Sequence, residues 1–309
     1  MARALTVVEP FRSLFYAPQF VALHGGHFTA EGLDVTVRTA SGGVTSADAL
    51  LEGTVEISLG GLMRSLDLVD RGKGLLPHFA EVNSRNGFFL LSREPRPDFQ
   101  WADLAGKTVI SFAEAPTPWQ CMLTVLRRNG VDPGGVTIRR DLPAAQAVVA
   151  FRAGSADFLE QGQPVVEQLL AEGAAHLVAS MGDATGPVPF SSYMTTPRFL
   201  REDRETVRGF TRALFQAQRW MAARDPADIA DLIAPSFADI DPEIRRRVVE
   251  RYQRQGTWPG DPILRQPGYE ALQRILLDGG FIRSPHRYED LVDTTVARQV
   301  AAETGSVPG

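Results

Sequence analysis

YAPQFVALHGGHFTAEGLDVTV, from Tyr16 to Val37, is the stretch that decides the fold. An apolar run with helical spacing stops at the paired glycines Gly25-Gly26, and a strand is predicted over 33–37. A second unit of the same kind follows in LLEGTVEISLGG, Leu50 to Gly61, whose strand ends at Gly60-Gly61. Helices and strands that alternate over such short spans predict a parallel α/β sheet.

This alternation continues to about residue 181, and the chain becomes mainly helical from Arg201 onward. Strands are predicted at about 3–8, 33–37, 55–59, 76–82, 88–93, 102–112 (after a turn), 136–140, 156–162 and 175–181. Helices are predicted at about 118–130, 143–154, 164–173, 203–224, 226–234, 241–255 and 267–278, with one more helix in the last segment. Two strand-helix series predict two lobes, one made of residues 1–86 with 190–309 and the other of residues 87–189.

The composition excludes several classes of protein. A formal net charge of -5 over 309 residues argues against a nucleic-acid-binding protein, which would carry a basic stripe. The chain contains no apolar run of about 18 residues, so no membrane span is predicted. Its one cysteine, Cys121, cannot form an intrachain disulfide. The first residues lack a secretory signal, which leaves two compartments open: cytoplasmic if Met1 is the native start, and periplasmic if a signal has been removed.

Several segments carry a family resemblance. They are YAPQFVALHGGHFTAEGLDVTV, LLEGTVEISLGG, DLAGKTVIS, LRRNGVDPGGVTI, AVVAFRAGSADFLEQGQP and the C-terminal YEDLVDTTVARQV. In this order the chain resembles the type II periplasmic substrate-binding proteins of ABC importers, and more narrowly the sulfonate-, nitrate- and thiamine-pyrimidine-precursor-binding group. The resemblance implies a mainly parallel α/β fold of two lobes with a helical C-terminal part. It also implies a small-molecule ligand in the cleft, an ABC permease as partner and a monomeric state.

Ligands of open parallel sheets bind beyond the carboxyl ends of the strands, where helix N-termini attract anions. The strand exits therefore supply the candidate ligand-binding residues. In the first lobe these are Phe11, Arg12, Tyr16, Ser41, Gly42, Gly43, Gly60, Gly61, Asn83 and Asn86. In the second lobe and on the returning strand they are Phe112, Glu114, Ala115, Pro116, Thr117, Trp119, Gln161, Gln163, Ser191 and Tyr193.

Three of these side chains have specific expected roles. Arg12 can donate two hydrogen bonds to a carboxylate or sulfonate, and the alternative is a solvated surface arginine. Trp119 can stack on a planar ligand, and the alternative is an ordinary core residue. Thr117 is expected to cap a helix that opens at Pro118.

No metal or cofactor is predicted, because the five histidines show no ligand spacing and there is no cysteine pair. The second hypothesis is a cytoplasmic enzyme with the same fold, similar to a pyrimidine-precursor synthase, a desulfinase or a decarboxylase. Cys121 follows a helix start, where a thiolate would be stabilised, but the sequence favours an inert packed cysteine over a nucleophile. No catalytic residue is predicted.

Overall fold

The computed structural model describes residues 2–41 and 45–304, which form two five-stranded sheets flanked by helices. The first sheet has the order β2-β1-β3-β10-β4 and contains β1 (Arg3–Glu9), β2 (Leu33–Thr39), β3 (Ile57–Gly60), β4 (His78–Asn83) and β10 (Ser191–Thr195). The second has the order β7-β6-β8-β5-β9 and contains β5 (Phe89–Ser92), β6 (Thr108–Ile110), β7 (Thr137–Arg139), β8 (Phe158–Gln161) and β9 (His176–Ser180).

The helices of the first half connect these strands. They are α1 (Ala17–His24), α2 (His27–Ala30), α3 (Ser46–Leu51), α4 (Leu62–Asp70), α5 (Pro116–Arg128), α6 (Ala144–Arg152), α7 (Val165–Ala171) and α8 (Met181–Thr185). The C-terminal part contains α9 (Pro197–Glu202), α10 (Arg204–Ala222), α11 (Pro226–Leu232), α12 (Pro242–Gln255), α13 (Gln266–Asp278), α14 (Tyr288–Leu291) and α15 (Thr295–Thr304). Among the described helices, none is long and apolar enough to cross a membrane.

The opening segment folds as its glycines predict. Helix α1 ends at Gly25, and Gly26 adopts a left-handed backbone with φ 73°, which turns the chain into the short helix α2. Strand β2 then pairs parallel to β1 along its whole length, from Leu33 opposite Arg3 to Thr39 opposite Glu9. The local signals in this stretch and the observed structure therefore agree.

Each sheet is mixed because one strand runs against the others. Strand β10 is antiparallel to both β3 and β4, and β5 is antiparallel to both β8 and β9. These two strands are the ones that the chain adds after crossing between the sheets. The crossings lie side by side: the N–H of Phe190 donates to the carbonyl of Asn83 at 2.9 Å, and that of Met181 donates to the carbonyl of Phe88 at 3.0 Å.

The sheet membership of the strands supports the predicted lobe boundaries, and we propose residues 1–86 with 190–309 as one lobe and 87–189 as the other. Two local predictions need correction. The helix expected from Pro118 begins at Pro116, so Ala115 is its N-cap and Thr117 lies inside the first turn without a capping role. The last segment forms two helices, α14 and α15, because the backbone of Val292 between them is extended, with φ -130° and ψ 121°. The side chain of Asp293 then accepts the N–H of Thr295 at 2.8 Å at the start of α15.

Candidate functional site

A cavity of about 500 Å³ lies between the two sheets, at the carboxyl ends of β1, β2, β3, β6 and β8. Its size is within the usual range for small-molecule sites. The lining residues are Pro10, Phe11, Arg12, Ser13, Phe15, Tyr16, Ala40, Ser41, Thr45, Ser46, Gly61, Met63, Arg64, Gly87, Phe88, Phe112, Glu114, Ala115, Thr117, Ala144, Gln161, Gly162, Gln163, Val165, Phe190, Ser191 and Tyr252.

Most of the residues predicted from the strand exits meet in this cavity. They are Phe11, Arg12, Tyr16, Ser41, Gly61, Phe112, Glu114, Ala115, Thr117, Gln161, Gln163 and Ser191. They come together because parallel strands present their carboxyl ends at one edge of each sheet, and the two edges face each other. Their contact with a ligand stays a prediction.

Other predicted residues lie outside the cavity lining. Trp119 is half-buried under the guanidinium of Arg140, 5.1 Å from the ring centroid. Tyr193 is fully buried in the core of the first sheet, where its hydroxyl donates to Gln19 at 3.0 Å. Gly60 packs closely against Met194 and Ser46, and Pro116 is the half-buried first residue of α5. Gly42 and Gly43 fall outside the described residues.

The two asparagines hold the chain crossing instead of lining the cavity. The side-chain amide of Asn83 donates to the carbonyl of Phe15 at 2.7 Å. The side-chain oxygen of Asn86 accepts the N–H of Phe88 at 2.9 Å. Both are fully buried. They fix the positions of two aromatic residues that do line the cavity.

An aromatic wall surrounds much of the cavity. Phe11 of the first lobe meets Phe112 of the second with ring centroids 6.5 Å apart, and Phe88 packs on Phe112 at 4.8 Å. Phe15 contacts Phe190 at 5.8 Å and Tyr252 at 5.5 Å. Such surfaces bind apolar or planar groups by burial and by edge or face contacts.

Arg12 enters the cavity already paired. Its Nε donates to Glu9 Oε1 at 2.5 Å, and its guanidinium also lies 4.9 Å from the ring centroid of Phe20. Glu9 is fully buried and accepts further hydrogen bonds from Gln19 and Thr39. Burial raises the pKa of Glu9, and the hydrogen bond and charge of Arg12 lower it part of the way back. Much of the charge of Arg12 is therefore balanced within the protein.

Arg64 is the cavity arginine that has no ion-pair partner among residues 2–41 and 45–304. It lies half-buried in the first turn of α4, directly after the Gly60-Gly61 strand exit. Its charge acts on Asp48, whose pKa is lowered mainly by hydrogen bonds from Thr45 and to a smaller extent by Arg64. Gly61 provides no side-chain cap, so the positive end of the α4 dipole adds to the charge of Arg64.

The second lobe contributes one carboxylate and two neutral amide side chains. Glu114, its one charged cavity residue within the described chain, accepts the N–H of Ala144 at 3.1 Å and so faces the N-terminus of α6. Gln161 and Gln163 follow β8 and are 3% and 7% exposed. Among the charged residues of the described cavity lining, Arg64 is therefore the cation without an ion pair, and Glu114 is the anion of the opposite lobe.

One buried carboxylic acid, Glu160, lies outside the cavity lining. Glu160 is fully buried and accepts a hydrogen bond from the hydroxyl of Ser111. Burial raises its pKa to about 7, although the hydrogen bond from Ser111 acts against this shift.

Cys121 is also fully buried and lies outside the cavity lining. Burial raises the pKa of its thiol to about 12. A thiol in this state is a poor nucleophile.

Comparison with known proteins identifies the family. The model of the NMT1-like family matches residues 11–234. The chain belongs to the NMT1-like family. A Bacillus subtilis (strain 168) relative of this NMT1-like chain, named "Putative binding protein YtlA", is 32% identical over 299 residues, which covers 96% of the chain and 90% of that protein.

Solved structures show the same fold at lower identity. The alkanesulfonate-binding protein SsuA from Xanthomonas axonopodis pv. citri, bound to MOPS, superposes with a TM-score of 0.73 at 18% identity, over 96% of this chain and all (100%) of that one. A cysteine-to-serine mutant of the desulfurization enzyme DSZB, in complex with biphenyl-2-sulfinic acid, superposes with a TM-score of 0.71 at 18% identity. The match covers 98% of this chain and 100% of that one. The NMT1-like chain therefore has the two-lobed type II periplasmic-binding-protein fold.

Sequence reasoning missed several cavity residues of this NMT1-like protein: Phe15, Arg64, Phe88, Phe190 and Tyr252. A signal existed for Arg64, since it occupies the first turn of the helix that follows Gly60-Gly61. None existed for Tyr252, which comes from α12 in the C-terminal part. Its hydroxyl donates to the carbonyl of Gly87 at 3.1 Å, so the chain crossing brings this ring to the cavity.

Proposed function

We propose that this chain is the ligand-binding component of an ABC-type importer and that it closes its two lobes on a small organic anion with an apolar or planar body. The observation that carries the proposal is Arg64, which has no ion-pair partner among the described residues and lines an aromatic cavity between the lobes. Because Arg12 is paired with Glu9, Arg64 is the one cation of the described lining that is left to bind a ligand, and a single such cation favours a monoanion. The SsuA neighbour, an alkanesulfonate-binding protein, supports a sulfonate as the anionic group.

Closure would follow from ligand contacts with both lobes. Arg64 and the start of α4 belong to the first lobe, whereas Phe112 and Gln161 belong to the second. A ligand that bridges them binds the closed form better than the open form, and it shifts the equilibrium by that difference in affinity. The importer's permease would then recognise the closed form on the outer side of its membrane.

Enzymatic activity receives less support. The neighbour DSZB carries a cysteine that was replaced in its complex, but the one cysteine of this chain is buried away from the cavity. We therefore expect no turnover of the bound anion. Steady product formation from an aromatic sulfinate or sulfonate would overturn the assignment as a binding protein.

Calorimetry and thermal melting with benzenesulfonate test the proposal, with neutral benzenesulfonamide as the matched control. We expect benzenesulfonate at 100 times its Kd to stabilise the fold by about 2.7 kcal/mol, because a ligand that binds only the native state stabilises it by mass action. Benzenesulfonamide should give no comparable shift. Equal binding of both compounds, or of neither, would contradict the proposed anion site.

A further inference from the structure

Two amide side chains of the second lobe have an unused donor. The side-chain oxygen of Gln161 accepts the N–H of Gly162 at 2.9 Å, and that of Gln163 accepts the N–H of Glu167 at 3.1 Å. Because a backbone N–H can only be met by the carbonyl oxygen, each amide has one orientation, with its NH₂ group turned away from the backbone donor. Both Nε2 atoms are buried without a hydrogen-bond partner among the described residues.

Unpartnered buried donors need an explanation, because each costs about 1–3 kcal/mol relative to a paired one. Gln161 and Gln163 lie two residues apart at the exit of β8, and both line the cavity. The nearby lining residues Phe88, Tyr252 and Val165 offer these donors mainly apolar side-chain surface. Since both residues border the cavity, a ligand bound there is the group best placed to satisfy them.

The ligand group that these amides meet must be a hydrogen-bond acceptor, and it must be uncharged. The described cavity lining contains no cation in the second lobe, whose one charged residue there is Glu114, and the cation without an ion pair, Arg64, belongs to the first lobe. A second anionic group near Gln161 and Gln163 would therefore be desolvated without a counter-charge, at a cost of several kcal/mol. A carbonyl, sulfonyl, ether or ring-nitrogen acceptor meets the amides without that cost.

On the basis of the proposed anion site, we propose that the ligand is a bifunctional molecule: a monoanionic head held by Arg64, an apolar body among the phenylalanines, and a neutral hydrogen-bond acceptor bound by the amides of Gln161 and Gln163. This acceptor site distinguishes the ligand from simple alkyl or aryl anions. Its specificity arises because a molecule without the acceptor leaves both buried donors unpaired.

Calorimetry with two probes of the same shape and charge tests the acceptor site. The probes are 4-acetylbenzenesulfonate, which has a distal carbonyl, and 4-isopropylbenzenesulfonate, in which a methyl group takes the place of the carbonyl oxygen. We expect the wild-type protein to bind the acetyl probe about tenfold more tightly. In Gln161→Leu and Gln163→Leu the preference should fall toward one, mainly through weaker binding of the acetyl probe. Gln168→Leu, an exposed position on α7, is the control and should keep the preference.

The outcomes separate the two proposals. Equal affinity of the wild-type protein for both probes, or a preference that survives in both leucine variants, would overturn the acceptor site and leave the anion site standing. Binding of neither probe would overturn the anion site, and with it the inference that rests on it. The comparison of probes in the wild-type protein remains decisive even if a leucine variant does not fold.

Discussion

Replacement of Arg64 by glutamine should separate ligand binding from folding. Arg64 has no ion-pair partner in the described chain, so its loss leaves no protein carboxylate unpaired. The free energy of unfolding should change by no more than about 0.5 kcal/mol, as for other half-exposed substitutions without a structural partner. A charge-assisted hydrogen bond contributes about 1.5–3 kcal/mol, so the Kd for benzenesulfonate should rise by about 10- to 150-fold.

Arg12→Gln is the matched control, because Arg12 lines the same cavity but is tied to buried Glu9. This change removes a hydrogen bond from a buried carboxylate and should lower the free energy of unfolding by about 1–3 kcal/mol. Calorimetry gives the affinities and urea unfolding the stabilities. An Arg64→Gln protein that binds benzenesulfonate like wild type would refute the reasoning. So would an Arg12→Gln protein of unchanged stability that has lost binding, because the anion would then be held by Arg12.

Three further changes follow from the packing and the buried groups. Gly87→Ala would place a Cβ 2.6 Å from Cδ2 of Phe15, so it should lower the free energy of unfolding in urea by about 1–3 kcal/mol and weaken benzenesulfonate binding. Gly260→Ala is the control and should be neutral, because its Cβ would meet nothing within 4 Å. Equal effects of the two changes would contradict this reasoning. Burial raises the pKa of Glu160 from 4.5 to about 7, so its contribution to stability is complete below about pH 4.5 and is lost as the pH rises to about 7. Glu160→Gln should therefore flatten the fall in unfolding free energy over this range, by at most about 1.4 kcal/mol per pH unit, and an unchanged pH profile would exclude Glu160 as its source. Native Cys121 should resist a thiol reagent that modifies it in urea, and Cys121→Ala should bind benzenesulfonate as wild type does; fast native labelling or lost binding would favour the enzyme reading.

Local sequence signals were sufficient for most of the elements. The paired glycines after α1 and the strand exit at Gly60-Gly61 mark boundaries that depend only on backbone conformation, so they are visible without knowledge of the fold. Helix starts were less certain: α5 begins at Pro116 although Pro118 offered an equal signal. Both prolines suit a first turn, and the local sequence does not distinguish between them.

The strand exits also predicted which segments would form the cavity, because the carboxyl ends of parallel strands share an edge. The roles of individual side chains were less accessible. Arg12 and Arg64 follow different strands with similar signals, and only the fold places Glu9 and its partners beside the first of them. Whether an arginine is free to bind a ligand depends on neighbours that are distant in sequence.

The sequence by itself determined the two strand-helix series, the family and the approximate position of the cleft, since these rest on local periodicity and on the order of segments. The tertiary structure alone decided which cavity charge is unbalanced and which polar groups lack partners. It also brought Tyr252 from α12 to the chain crossing, 165 positions away from Gly87. Charge balance and burial are sums over all neighbours in space, and a linear pattern does not contain those sums.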